Sequence, residues 1–109
     1  MTRAEVKSMI DEVGIPAAYH HFDESTGQQP PFICFLYPGD NDMKADNINY
    51  VGINQLAIEL YTDEPDFDLE DAVKAVLTDH GLAFARNREY IDSEKMWMTV
   101  FNTEVIIDG

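Results

Sequence analysis

Apolar residues recur every three or four positions in two stretches of the chain and every two in several others, and the change of period marks its elements. Val6, Met9, Ile10 and Val13 share one face at helical spacing, which predicts a helix from Thr2 to Val13. Thr2 and Glu5 have the spacing of a capping box, in which each side chain satisfies the other residue's free amide. Gly14 offers a left-handed stop, and Pro16 forbids continuation. Leu69, Ala72, Val73, Val76 and Leu77 form a second helical stripe, with Asp66 or Asp68 as its cap and Gly81 as its stop. Glu70 and Asp71 suit the positive end of that helix dipole, and His80 the negative end.

The remaining apolar segments read as strands. Ala17 to Phe22 predicts a short one, closed by a polar loop and the Pro30-Pro31 pair. Phe32 to Tyr37 is apolar at every position, as in a strand covered on both faces. From about Ile53 to Thr62, Leu56, Ile58 and Leu60 alternate with Gln55, Ala57, Glu59 and Tyr61, the pattern of a half-buried strand. Phe84 to Ile91 and Met96 to Ile107 flank a polar turn and predict a hairpin. In its second strand Met96, Met98 and Val100 lie on one face, and Trp97, Phe101 and Val105 on the other. Residues 39–52 are polar and too long for a tight turn, so they form either a mobile loop or a projecting β-arm using Asn47 to Val51.

The order α-β-β-β-α-β-β in 109 residues predicts a single α+β domain spanning 1–109. Two helices pack on one face of a mostly antiparallel sheet of four or five strands. Two short helices cannot cover both faces of such a sheet, and large apolar patches on a protein surface mark partner sites. Other copies of the chain are the simplest cover. The residues expected at subunit or partner contacts are Ile33, Phe35, Tyr37, Trp97 and Phe101 on the doubly apolar strands. Asp42, Lys44, Asp46 and Tyr50 are expected to do the same on the 39–52 segment.

Charge narrows the partners. Seven Lys and Arg face 21 Asp and Glu, a formal net charge of -14. The basic residues are scattered, only Arg86 and Arg88 lying close together, so the basic stripe that phosphate binding needs is missing. Nucleic acid as a direct ligand and an anionic membrane surface are both disfavoured. No apolar stretch approaches membrane-spanning length, and the N-terminus has no leader-like apolar region.

Candidate chemistry is sparse. Cys34 is the only cysteine and sits in an apolar run, where it acts as a small hydrophobe. His20 and His21 adjoin Asp23 and Glu24, but neighbours in a strand point to opposite faces, so the imidazoles are not expected to converge on one ion. Asp40, Asp42 and Asp46 lack the spacing of a calcium loop, and Lys44 stands among them. The acids at 63–71 serve as caps and dipole partners, and no nucleotide loop or nucleophile elbow is present. The expectation is a non-enzymatic protein without cofactor or metal.

Pro31-Phe32-Ile33-Cys34-Phe35-Leu36-Tyr37-Pro38-Gly39, Gln55-Leu56-Ala57-Ile58-Glu59-Leu60-Tyr61-Thr62-Asp63 and Tyr90-Ile91-Asp92-Ser93-Glu94-Lys95-Met96 resemble a small phage or prophage family. It is similar to the tail-terminator and tail-completion proteins of long-tailed bacteriophages of Gram-positive bacteria. These are strand and turn patterns, not chemical signatures. The resemblance implies a subunit of a hexameric ring at the head-proximal end of a virion tail, assembled in the host cytoplasm. Its partners would be itself, the major tail protein and a head-completion or connector protein, with DNA only as cargo passing through the lumen. Another neck component (head-closure or adaptor), an acidic DNA mimic, and a small hydrolase are the competing readings.

Overall fold

The computed structural model describes residues 1–45 and 48–107, with the side chains of residues 24, 43–45 and 48–51 outside the description. Helix α1 runs from Arg3 to Asp11. Both halves of its capping box form: the Thr2 hydroxyl accepts the Glu5 N–H at 3.1 Å, and Glu5 Oε1 accepts the Thr2 N–H at 3.0 Å. Gly14 takes φ +88°, the left-handed conformation that ends the turn. Helix α2, Phe67–Asp79, is capped by Asp66, whose carboxylate accepts the Leu69 N–H at 3.0 Å. The two helices touch, and His80 after α2 reaches Glu12 after α1, Nε2 to Oε2, at 2.8 Å.

Strands β1 (Ala17–Tyr19), β2 (Phe32–Leu36), β5 (Ile53–Thr62), β6 (Phe84–Ile91) and β7 (Met96–Ile106) form one sheet in the order β1-β2-β5-β7-β6. Every pairing is antiparallel except β1 with β2, which is parallel. Parallel neighbours need a crossover. Residues 20–31 provide it, with a 3₁₀ turn at Glu24–Thr26. β1 is shorter than the pattern suggested because His20 takes φ +66° and turns the chain out of the strand. The α+β class and the α-β-β-β-α-β-β order of the main sheet agree with the pattern-based expectation.

Between β2 and β5 the chain forms a separate two-stranded hairpin, β3 (Met43–Ala45) with β4 (Ile48–Val51), pairing Met43 with Val51 and Ala45 with Ile48. Asn47 of the expected arm lies outside the described residues; the hairpin is formed by the strands on either side. It stands outside the five-stranded sheet, in a molecule measuring 48 × 29 × 23 Å. Its base is fastened: the Asn41 N–H donates to the Ile53 carbonyl at 2.8 Å, and Asn54 Nδ2 donates to Asp40 Oδ1 at 2.9 Å.

Both helices lie on one face of the sheet. Val6, Met9 and Ile10 of α1 and Val73 and Leu77 of α2 bury against Ile33, Phe35, Leu56, Ile58, Leu60, Phe101 and Val105. The register makes this consistent across three strands, pairing Phe35 with Ile58 and Ile58 with Phe101. Leu56, Ile58 and Leu60 alternate as the half-buried pattern required, because residues two apart share a face.

Candidate functional site

The same register defines what the helices leave uncovered. Cys34 pairs with Glu59 and Glu59 with Val100, so the side chains of Phe32, Cys34, Leu36, Ala57, Glu59, Tyr61, Met96, Met98 and Val100 share the outer face. Among the described residues, one end of it is sheltered. The 20–31 crossover lies there, with Phe22 edge-on to Phe32 at 5.3 Å, and Phe32 stacks on Tyr61 at 4.9 Å. Cys34 and Ala57 are buried among these neighbours, while Phe32, Leu36, Tyr61, Met96, Met98 and Val100 are each partly open to water. Glu59 is the charge amid this apolar stretch, half-buried and accepting the Tyr61 hydroxyl at 3.0 Å. Burial first, and then the Glu59 carboxylate, push the Tyr61 hydroxyl well above the ordinary phenol range. The same two causes push the Cys34 thiol up to about 11. A thiol that holds its proton this firmly is a packing group and a poor nucleophile. The face is therefore mostly apolar, with the hydrogen-bonding Glu59 carboxylate among its side chains.

The residues expected at contacts separate into three groups. Ile33 and Phe101 have no exposed surface and Phe35 has 5%, so all three are core residues beneath the helices. Tyr37 and Trp97 are partly exposed but lie at opposite ends of the sheet, Tyr37 just beyond the Leu36–Ala57 pair and Trp97 opposite Thr62. Tyr37 has Arg3 at 5.8 Å from its ring and Tyr19 at 5.8 Å. Asp42 sits at the base of the hairpin, its carboxylate accepting the Ile53 N–H at 2.9 Å. The side chains of Lys44 and Tyr50, and Asp46 altogether, lie outside the described residues.

The outer-face set was missed because β2 is apolar at every position, and nothing within it says which alternate residues face the helices. The signal lay in β5, where Glu59 and Gln55 mark the outward parity, but carrying that parity across to β2 requires the Cys34–Glu59 register.

A second expectation is corrected here. His20 and His21 do converge, with Nδ1 to Nδ1 at 3.0 Å, because the positive φ of His20 breaks the strand alternation that would have separated them. Both rings are exposed and edge-on to each other, and one Nδ1 donates to the other. Among the described residues no group of three or more His, Cys, Asp and Glu has a metal-holding arrangement. Asp23 beside them is held below the usual carboxylate range by the N–H and hydroxyl of Ser25, both donating to Oδ1 at 3.1 Å. Among the described residues no helix is long and apolar enough to cross a membrane.

An ion pair on a buried carboxylate beneath α2 was also missed. Glu70, 2% exposed, is gripped by Arg88 of β6, with Arg86 3.6 Å away. Arg86 and Arg88 are two apart in a strand and so share the helix face, which their spacing alone could have shown.

No protein-family description matches the chain. No curated protein matches it by sequence. By structure, it is similar to a chain in the virion of a native gene transfer agent particle, with TM-score 0.60 and 14% identity over 93% of this chain and 84% of that one. At that identity the likeness establishes a shared fold.

Proposed function

We propose that the chain is a structural subunit of a phage-like virion. It would act as a tail terminator, forming a ring that caps the tail tube and presents a surface for joining the head. The observation that carries this reading is the outer sheet face, where Leu36, Tyr61, Met98 and Val100 stand opposite the helix layer and, among the described residues, no α-helix lies over them. Burying a side chain of this size contributes about 1.5–3 kcal/mol, so several together can offset the cost of association. The fold shared with a chain of a gene transfer agent virion supports a place among virion proteins. The hairpin at 43–51 supports assembly in another way. A lone two-stranded hairpin is marginal in water, and contact with a tail-tube protein or a neighbouring subunit would complete it. With a net charge of -14, the subunit would line a bore that repels exiting DNA.

Electron microscopy of the purified protein, alone and mixed with tail tubes, tests the proposal. Rings of six seated at one end of the tube are expected. Strict monomers with no affinity for tubes would overturn it.

A further inference from the structure

The pole of the molecule where β5 ends carries a different unpartnered surface, on the helix side of the sheet and away from the outer face. Phe67, the first residue of α2, is 60% exposed, and Tyr90 of β6 is 43% exposed. Trp97 stands edge-on to Tyr90 at 5.3 Å, and the Arg88 guanidinium lies 5.3 Å from the centre of the Phe67 ring. The four residues form a continuous strip, since Tyr90 pairs with Trp97 and Arg88 lies two residues away on the same face of β6. The backbone beside it is also open. β6 is an edge strand, and Arg86 through Tyr90 are all exposed, so its outer N–H and C=O groups are available to another strand. Exposed aromatic and arginine side chains beside a free strand edge are the composition and geometry of a β-augmentation site.

Charge identifies the occupant. The loop entering α2 carries Asp63, Glu64 and Asp66, α2 carries Asp68 in its first turn, and the β6–β7 turn carries Asp92 and Glu94 against a single Lys95. Arg88 does not offset them, because Glu70 binds it through both carboxylate oxygens and neutralises it. The strip is thus aromatic, rimmed by carboxylates, and suited to Lys and Arg side chains that can lie over its rings. A second copy cannot supply such a segment. Its basic residues are scattered, the two nearest each other are already on Glu70, and each copy brings a charge of -14.

We infer that the β6 edge and the Phe67–Arg88–Tyr90–Trp97 strip dock an extended, lysine- and arginine-bearing segment of a different protein. The segment adds as a strand alongside β6. This uses neither the outer face nor the hairpin, so it holds whether or not copies of the chain form a ring.

A nonapeptide of alternating Lys and Val is the probe, with Trp97, the lone tryptophan, as fluorescence reporter and backbone amide shifts as the map. The expected result is saturable binding that perturbs Trp97 and the β6 amides. Tyr90→Ser and Phe67→Ser should each weaken it about tenfold or more, the loss of roughly 1.4 kcal/mol seen at interface anchors. Asp63→Lys/Glu64→Lys should weaken it as well. A peptide of the same charge with alternate amides N-methylated, unable to add to a strand edge, should bind about tenfold more weakly, a loss of a similar size. Equal binding of the two peptides, shifts spread over the whole acidic surface, or a single-stranded oligonucleotide competing at this strip would each overturn the inference. Both aromatic variants alter exposed side chains, and an unchanged thermal midpoint confirms that they fold.

Discussion

Arg88 on β6 holds Glu70 on α2 through both carboxylate oxygens, at 2.7–3.0 Å, and the two partners differ sharply in exposure: 3% of the Glu70 side chain is open to water, and 40% of the arginine's. Thr99 adds a hydroxyl 3.3 Å from the same carboxylate. Bonding to Glu70 raises the Arg88 pKa further above its already high value, so the arginine stays charged at any working pH. The pair pins the start of α2 to the edge of the sheet.

Removing the arginine should cost more than removing both partners. Arg88→Met strands a buried carboxylate and should lower the urea midpoint, by less than breaking a fully buried pair would, because Arg86 remains close. Glu70→Leu/Arg88→Met should recover most of that loss, since an apolar pair of similar volume needs no compensation. Urea denaturation of the two variants checks this, and equal losses would refute it.

Met98 and Phe101 lie on opposite faces of β7, and their substitutions should fail differently. Phe101→Ala opens a cavity in the core and should cost about 3–5 kcal/mol. Met98→Lys alters the outer face and should leave stability within about 1 kcal/mol, as surface changes do. If the proposed ring forms through the outer face, the same lysine should abolish self-association by placing a charge there. Sedimentation velocity combined with thermal melts separates the two effects.

Replacing residues 43–51 with a short glycine linker should leave the sheet folded, because Asp40, Asn41 and Asp42 bond back to β5 outside the deleted segment. The thermal midpoint should stay within a few degrees, corresponding to less than about 1 kcal/mol. Joining of tails to heads should be lost. If joining survives, the hairpin is not the arm that makes it.

Cys34 supplies a test in alkaline solution. Its thiol ionises at about 11 in the fold, against 9.0 for a free thiol. Between those values the native state keeps a proton that the unfolded state has released. Stability should therefore fall as pH rises from 9.0 through about 11, and be unaffected by this group below 9.0. Cys34→Ala should show a shallower decline over that window by urea titration. At neutral pH, iodoacetamide should label the native thiol far more slowly than the unfolded one.

Much of the fold was legible in the chain because the signals were local. The Thr2–Glu5 box and the Asp66 cap act within one turn, and the alternation of β5 reports burial residue by residue. The candidate surface was less legible. β2 is apolar on both faces, so Ile33 and Phe35 looked as available to a partner as Leu36, and only the pairing with β5 separates core from outer face. The convergence of His20 and His21 escaped for a related reason: one residue with φ +66° undoes the alternation that an extended strand imposes.

By itself the sequence determined which stretches form the two helices and the five strands of the main sheet, that two short helices are few to cover such a sheet, and that the chain is acidic. These follow from periodicity, caps and charge, each written in residues close together along the chain. Tertiary structure decided which side of each strand faces the helices, that β1 runs parallel to β2, and that Glu70 lies buried under Arg88. Those outcomes depend on register between strands far apart in the chain, and a shift of one residue would turn every side chain to the other face.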